Sequence, residues 1–145
     1  MRRKGRGRAW LSDHGGDIPD GAEEQANCLQ LALNAADIWS EAYSARQADE
    51  DAMNTYLNER LPKWLDTLEL FHDKTSNGGM YFFGDEPTYA DFELLNSLSI
   101  LDFMFGIEEY GSTLDAWKDA MESRPGVSAY LTSCEPVLYP QVAKM

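Results

Sequence analysis

Apolar residues recur along this chain at three- and four-residue steps, the spacing that places side chains on one face of an α-helix. The pattern predicts a first helix that opens behind Asp20 as its N-cap and fades near Gln47. Leu29, Leu33 and Ala36 lie on one predicted face of this helix. The apolar surface is extended by Ile38, Trp39, Ala42 and Tyr43.

A second long helix is predicted to begin at the acidic segment 49–51, because acids favour the positive end of a helix dipole. Its periodic apolar pattern continues to Phe71 with Pro62 in its interior. Since Pro62 cannot donate a hydrogen bond to the carbonyl of Asn58, we expect a kink there rather than a break. A turn follows at residues 76–79.

The clearest helix start is Gly84-Asp85-Glu86-Pro87-Thr88-Tyr89-Ala90-Asp91-Phe92. Thr88 suits the N-cap, and Asp91, three residues on, can accept from the Thr88 amide, as in a capping box. The helix then runs to about Phe105 and is apolar on nearly every side, which indicates burial. Thr88 and Asp91 are therefore predicted to be folding residues rather than catalysts.

Two shorter helices are predicted after the central one. Ser112, with Asp115 three residues on, suits an N-cap, and Pro125 suits the first turn of a helix that ends near Thr132. No segment alternates with period two for long enough to indicate a strand. The sequence thus predicts an all-α fold of five or six helices around the central helix.

Charge divides the 145 residues unevenly. The net charge is −13, yet residues 1–8 carry five basic side chains and no acid. We therefore separate a basic arm, residues 1–9, from a helical domain, residues 10–145. The acidic domain should repel nucleic acid and anionic membranes. The arm is either a targeting or nucleic-acid-binding tail or a chain start without a role, and we favour the second interpretation.

No catalytic or metal-binding signature is found in the sequence. Cys28 and Cys134 lack metal-ligand spacing and indicate reduced thiols, as expected in the cytoplasm. His14 and His72 are far apart and are expected in loops or at the surface. No apolar run approaches the roughly 20 residues of a membrane span, and no signal peptide is recognised. We predict no catalytic residue, no metal and no bound cofactor.

Three segments in order resemble the C-terminal helical domain of glutathione S-transferases, most closely the pi/mu/sigma group. Leu61-Pro62-Lys63-Trp64-Leu65 is similar to the family's LPxφL segment, where φ is apolar. Gly84-Asp85-x-x-Thr88-x-Ala90-Asp91-Phe92 is similar to the start of its buried sixth helix. Arg124-Pro125-Gly126-Val127-Ser128-Ala129-Tyr130-Leu131 is similar to its RPxφxxφL helix start. The resemblance covers about residues 10–140.

The resemblance implies roles for three residues. In this family the helical domain supplies the pocket for the electrophilic co-substrate and an Asp that reaches glutathione on the neighbouring subunit. Aligned by motif, that Asp is Asp37, and Trp39 and Tyr43 can line the pocket. The residues alone favour simpler interpretations: Asp37 as a solvated acid of an amphipathic helix, Trp39 and Tyr43 as core aromatics.

The family's glutathione-activating, thioredoxin-like domain has no counterpart in the sequence given. We therefore expect a glutathione-transferase-family protein, active in detoxification, of which this chain is the substrate-pocket and dimer-contributing half. Glutathione would be a co-substrate, a homodimer is a candidate assembly, and the chain alone should be nearly inactive. The alternative is a non-catalytic protein–protein interaction module with the same helical fold.

Overall fold

The computed structural model describes residues 18–133 and confirms the all-α prediction. We number the α-helices in chain order. They are α1 (Ala22–Ala48), α2 (Glu50–Thr55), α3 (Leu61–Thr75), α4 (Tyr89–Phe105), α5 (Ser112–Glu122) and α6 (Pro125–Ser133). The predicted basic arm, His14 and Cys134 lie outside the described residues, so the division into arm and domain stays a prediction.

Helix α4 is the centre of the bundle. Its buried residues lie on almost every side of the helix: Ala90, Asp91, Leu94, Leu95, Ser97, Leu98, Ile100, Leu101 and Met104. Helix α1 packs along it more extensively than any other element does. Helix α4 ends at Gly106, whose φ of 64° is the left-handed conformation that glycine adopts without strain. The predicted central helix is therefore present, with the predicted C-terminal end.

Helix α1 begins one residue later than predicted and buries a different face. Its N-cap is Gly21, so the prediction of Asp20 as the cap was wrong. Leu29 and Leu33 are 54% and 57% exposed. The buried side chains are Cys28, Leu31, Ala35, Ile38 and Ala42. Three of these five are small, which lets the backbones of α1 and α4 approach closely.

Helices α2 and α3 form one continuous rod that passes through Pro62. They are joined by a π-helical turn, Tyr56–Arg60, in which the Leu61 N–H donates to the Tyr56 carbonyl. The helix continues past Pro62 without a break, as predicted, and its irregular hydrogen bonding is a widened turn just before the proline. The same turn points the Tyr56 hydroxyl at α1, where it donates to the Ile38 carbonyl at 2.8 Å.

The connection from α3 to α4 is a tight turn built on two glycines. The Tyr81 N–H donates to the Gly84 carbonyl at 3.0 Å. A Cβ on Gly79 would lie 2.4 Å from the Gly84 carbonyl carbon, so only glycine fits there. This turn places Phe82 in the core, with its ring centroid 5.5 Å from that of Trp117 on α5.

Helix α5 also starts slightly differently from the prediction. Its N-cap is Gly111, and Ser112 is already helical, so Ser112 is not the cap. The Asp115 carboxylate instead accepts from the Tyr110 N–H at 2.9 Å. Among the helices described between residues 18 and 133, none is both long and apolar enough to cross a membrane.

Candidate functional site

The first polar centre lies at the N-terminal end of α4, where the Asp91 side chain has no solvent exposure. Its Oδ2 accepts from the Thr88 N–H at 2.9 Å and from the Thr88 hydroxyl at 3.1 Å. Its Oδ1 accepts from the Phe82 N–H at 3.1 Å and from the Trp117 indole at 2.9 Å. One carboxylate therefore ties α4 to the preceding turn and to α5.

This centre has no room for a ligand. Thr88 and Asp91 form the reciprocal capping box, and Thr88 is 5% exposed. The Cys28 thiol donates to the Thr88 hydroxyl oxygen at 3.5 Å. Burial raises the pKa of Cys28, so the thiol stays protonated near neutral pH and is a poor nucleophile. The arrangement stabilises the fold and offers no reacting group to a substrate.

The second feature is the outer face of α1, which we define as Leu29, Leu33, Ala36 and Asp37. All four side chains are exposed. Asp37 follows Leu33 by one helical turn, so a carboxylate stands beside an apolar stripe. Within residues 18–133 the Asp37 carboxylate has no hydrogen bond or ion pair. Two exposed leucines therefore lie beside a carboxylate that no hydrogen bond from the described residues engages.

Trp39 and Tyr43 are half-buried and lie on the other flank of this face. Their rings meet edge to face with centroids 6.4 Å apart. Because successive residues of a helix are turned by about 100°, Trp39 and Asp37 project from opposite flanks of α1. The structure therefore does not bring Asp37 together with the two predicted pocket aromatics.

A third cluster, which the sequence analysis missed, joins α1 to the π-helical turn. Arg60 Nε and Nη2 donate to the two oxygens of Glu41 at 2.7 and 2.8 Å. The Trp64 indole donates to Glu41 Oε2 at 3.0 Å. The hydrogen bond from Arg60 is the main cause that lowers the pKa of Glu41. Only the one-turn spacing of Arg60 and Trp64 was visible in the sequence; the pairing with Glu41 requires the fold.

A fourth cluster, also unforeseen, fixes the C-terminal end of α4. The Tyr110 hydroxyl donates to Asp102, and the Leu98 carbonyl oxygen lies 3.0 Å from the same hydroxyl oxygen. Lys118 Nζ donates to the other Asp102 oxygen at 2.5 Å. Burial raises the pKa of Tyr110, so its hydroxyl does not ionise near neutral pH. Tyr110 is 3% exposed, and it is therefore unsuited to stabilise a substrate thiolate.

Metal chemistry finds no support in the described part of the chain. Between residues 18 and 133, no three or more His, Cys, Asp and Glu side chains are grouped so that they could hold a metal ion. The buried His72 instead shares a hydrogen bond of 2.9 Å with the Met80 carbonyl, and its ring packs on Phe82. The prediction that His72 lies in a loop or at the surface was therefore wrong.

Comparisons with known proteins agree with this architecture. Residues 35–134 match the model of the family described as glutathione S-transferase, C-terminal domain. A pi-class glutathione S-transferase from Onchocerca volvulus superposes with a TM-score of 0.68 at 18% sequence identity. The match covers 86% of this chain and 61% of that one, so the chain spans less than two thirds of the neighbour's length. No curated protein matches the sequence significantly.

Proposed function

Because the chain belongs to the glutathione S-transferase family through its C-terminal domain, we propose that it is the helical half of a glutathione-conjugating protein. The reaction joins the sulfur of glutathione to an electrophile, and the attacking species is the thiolate. The match of residues 35–134 to the family's C-terminal domain is the observation that carries this proposal, and the exposed outer face of α1 offers a second domain or subunit a surface to contact.

The outer face of α1 is the assembly surface in this proposal. Leu29 and Leu33 are each just over half exposed, so each would gain roughly 0.8–1.7 kcal/mol from burial of the remaining half of its side chain. A thioredoxin-like domain and a second copy of the helical domain would cover them together in a homodimer. The buried, free Cys28 fits a reducing compartment, and we place the protein in the cytoplasm.

Asp37 then receives the ammonium group of glutathione bound to the neighbouring subunit. An exposed carboxylate that makes no hydrogen bond within residues 18–133 is suited to this role, because a hydrogen bond between charged groups is about twice as strong as a neutral one. Trp39 and Tyr43, on the other flank, face the electrophile pocket of their own subunit. In this arrangement one flank of α1 serves the glutathione site of the neighbouring subunit, and the other flank serves the electrophile pocket of its own subunit.

Conjugation assays test the proposal. The 145-residue polypeptide should conjugate glutathione to a nitroaromatic electrophile very slowly, because loss of preorganised donors to a developing anion costs about 10²–10³ in rate. The same polypeptide joined to a pi-class thioredoxin-like domain should be active. A joined protein that melts cooperatively but shows no conjugation would overturn the proposal and would favour the alternative, a protein–protein interaction module.

A further inference from the structure

The Arg60 guanidinium is bound by one carboxylate of α1 and feels the charge of a second. Glu41 takes two of its N–H groups at 2.7 and 2.8 Å. Asp37 precedes Glu41 by one turn, so the two carboxylates are neighbours on the helix surface. Hydrogen bonds and charge from Glu41 raise the pKa of Arg60, and the charge of Asp37 acts in the same direction.

Several contacts select Glu41 over Asp37. The two-pronged geometry of guanidinium and carboxylate favours the partner that accepts both N–H groups. The Arg60 guanidinium also lies 5.0 Å from the centroid of the Trp64 ring, within the range of a cation–π interaction. The Trp64 indole binds the same carboxylate at 3.0 Å. Glu41 and Trp64 therefore fix Arg60 from two sides.

We propose that Glu41, supported by Trp64, holds the Arg60 guanidinium away from Asp37 and thereby keeps the Asp37 carboxylate free for a cationic group of a ligand. Glu41 is then a positioning residue: it touches no ligand and acts through Arg60. The ligand named here, the ammonium group of glutathione, rests on the proposed function. The proposal that Glu41 keeps Arg60 away from Asp37 does not depend on which ligand binds.

The geometry of the π-helical turn explains why Arg60 has to be held by Glu41. The π-helical turn directs Arg60 towards α1, and its side chain is 50% exposed. An arginine with this freedom and no charged partner would move to the next carboxylate along the helix, which is Asp37. A ligand ammonium would then have to displace a resident guanidinium, and its apparent affinity would fall with the fraction of free Asp37.

The first experiment uses the chain alone and needs no ligand. Crystal structures of the parent and of Glu41→Gln locate the Arg60 guanidinium in each. The substituted amide keeps an acceptor for the Trp64 indole but removes the negative charge. Arg60 should pair with Asp37 in this variant. Glu59→Gln, which removes one charge from the same π-helical turn, should leave Arg60 on Glu41. An Arg60 that turns to solvent in Glu41→Gln would overturn the inference.

The second experiment titrates glutathione into the protein joined to a thioredoxin-like domain. Glu41→Gln should weaken glutathione binding about three- to sixfold, as expected when a surface ion pair competes for the carboxylate. Adding Arg60→Gln to this variant should restore the parent affinity, which a merely structural role of Glu41 would not allow. If Asp37→Asn has no effect, the proposed function fails. The crystal structures then still show whether Glu41 keeps Arg60 away from Asp37. If Asp37→Asn weakens glutathione binding and Glu41→Gln does not, the positioning role of Glu41 is refuted.

Discussion

At the scale of single residues, Asp91 joins more parts of the molecule than any other side chain described above. Its two oxygens accept hydrogen bonds from Thr88, Phe82 and Trp117. The Asp91 side chain has no exposed surface. Removal of the carboxylate therefore leaves buried donors without partners, which costs far more than the loss of an exposed cap.

Asp91→Ala should reduce the free energy of unfolding by about 3–5 kcal/mol, because it leaves several buried donors without an acceptor and each such group costs about 1–3 kcal/mol. Thr88→Ala should cost about 0.5–2 kcal/mol, the usual loss for an N-cap. Thr67→Ala is a matched control, because this threonine is exposed on α3. Urea denaturation measures all three. Equal stabilities of Asp91→Ala and the control would contradict the central place given to Asp91.

Gly79 is a second residue at which the structure makes a sharp prediction. Its Cβ would lie 2.4 Å from the Gly84 backbone, and a backbone neighbour cannot rotate away as a side chain would. Gly79→Ala should therefore destabilise the protein by about 1–3 kcal/mol, as expected for overpacking in a tight turn. Gly126→Ala is the control, because no atom of residues 18–133 lies within 4 Å of its added Cβ. Thermal melts that do not separate the two variants would refute the tight approach.

At the scale of helices, α1 has two faces that differ in what covers them. The face towards α4 contains Leu31, which is fully buried, whereas Leu33 on the outer face is 57% exposed. Leu31→Ala should cost about 2–5 kcal/mol, the usual range for a buried leucine. Leu33→Ala should change stability by less than about 0.5 kcal/mol in the monomer. Denaturant titration of the two variants tests the assignment; a larger loss at Leu33 would reverse the two faces.

Helices α4 and α1 differ in how much of their structure could be predicted from the sequence. Capping chemistry at residues 84–92 and the left-handed Gly106 act locally, so the start and end of α4 were predictable. Leu29 and Leu33 have the helical spacing of core residues, yet the core side is the one with Cys28 and Ala35. Apolar periodicity does not distinguish a face buried within the chain from one reserved for a partner. The Glu41–Arg60 pair links residues of different helices, which a single sequence does not reveal.

The Glu41–Arg60 pair should also make stability depend on pH. Because Arg60 lowers the pKa of Glu41 in the folded state from its ordinary 4.5, the pair stabilises the protein above about pH 4.5. This contribution is lost as the pH falls below that value. Unfolding free energies measured between about pH 6 and pH 3 should therefore fall less steeply in Glu41→Gln than in the parent. Parallel curves would show that the pair adds nothing to folding.

At the scale of the whole molecule, the net charge and the helical fold are both compatible with the proposed function. The chain carries 25 acidic and 12 basic residues, so a partner bound through negative potential would be cationic or zwitterionic. The helical fold and the family match place this chain among glutathione S-transferases. The outer face of α1 offers both an apolar contact surface and the free Asp37 carboxylate. The role of Asp37 as a glutathione ligand is therefore the central claim of the proposed function.

Calorimetric titration of glutathione into the protein joined to a thioredoxin-like domain tests this claim most directly. Asp37→Asn should weaken glutathione binding about tenfold or more, which corresponds to a loss of about 1.4 kcal/mol. Asp66→Asn, an exposed acid on α3, should leave the affinity unchanged and controls for the loss of negative charge. Equal affinities of the parent and Asp37→Asn would contradict the account and return Asp37 to an ordinary solvated acid on a helix surface.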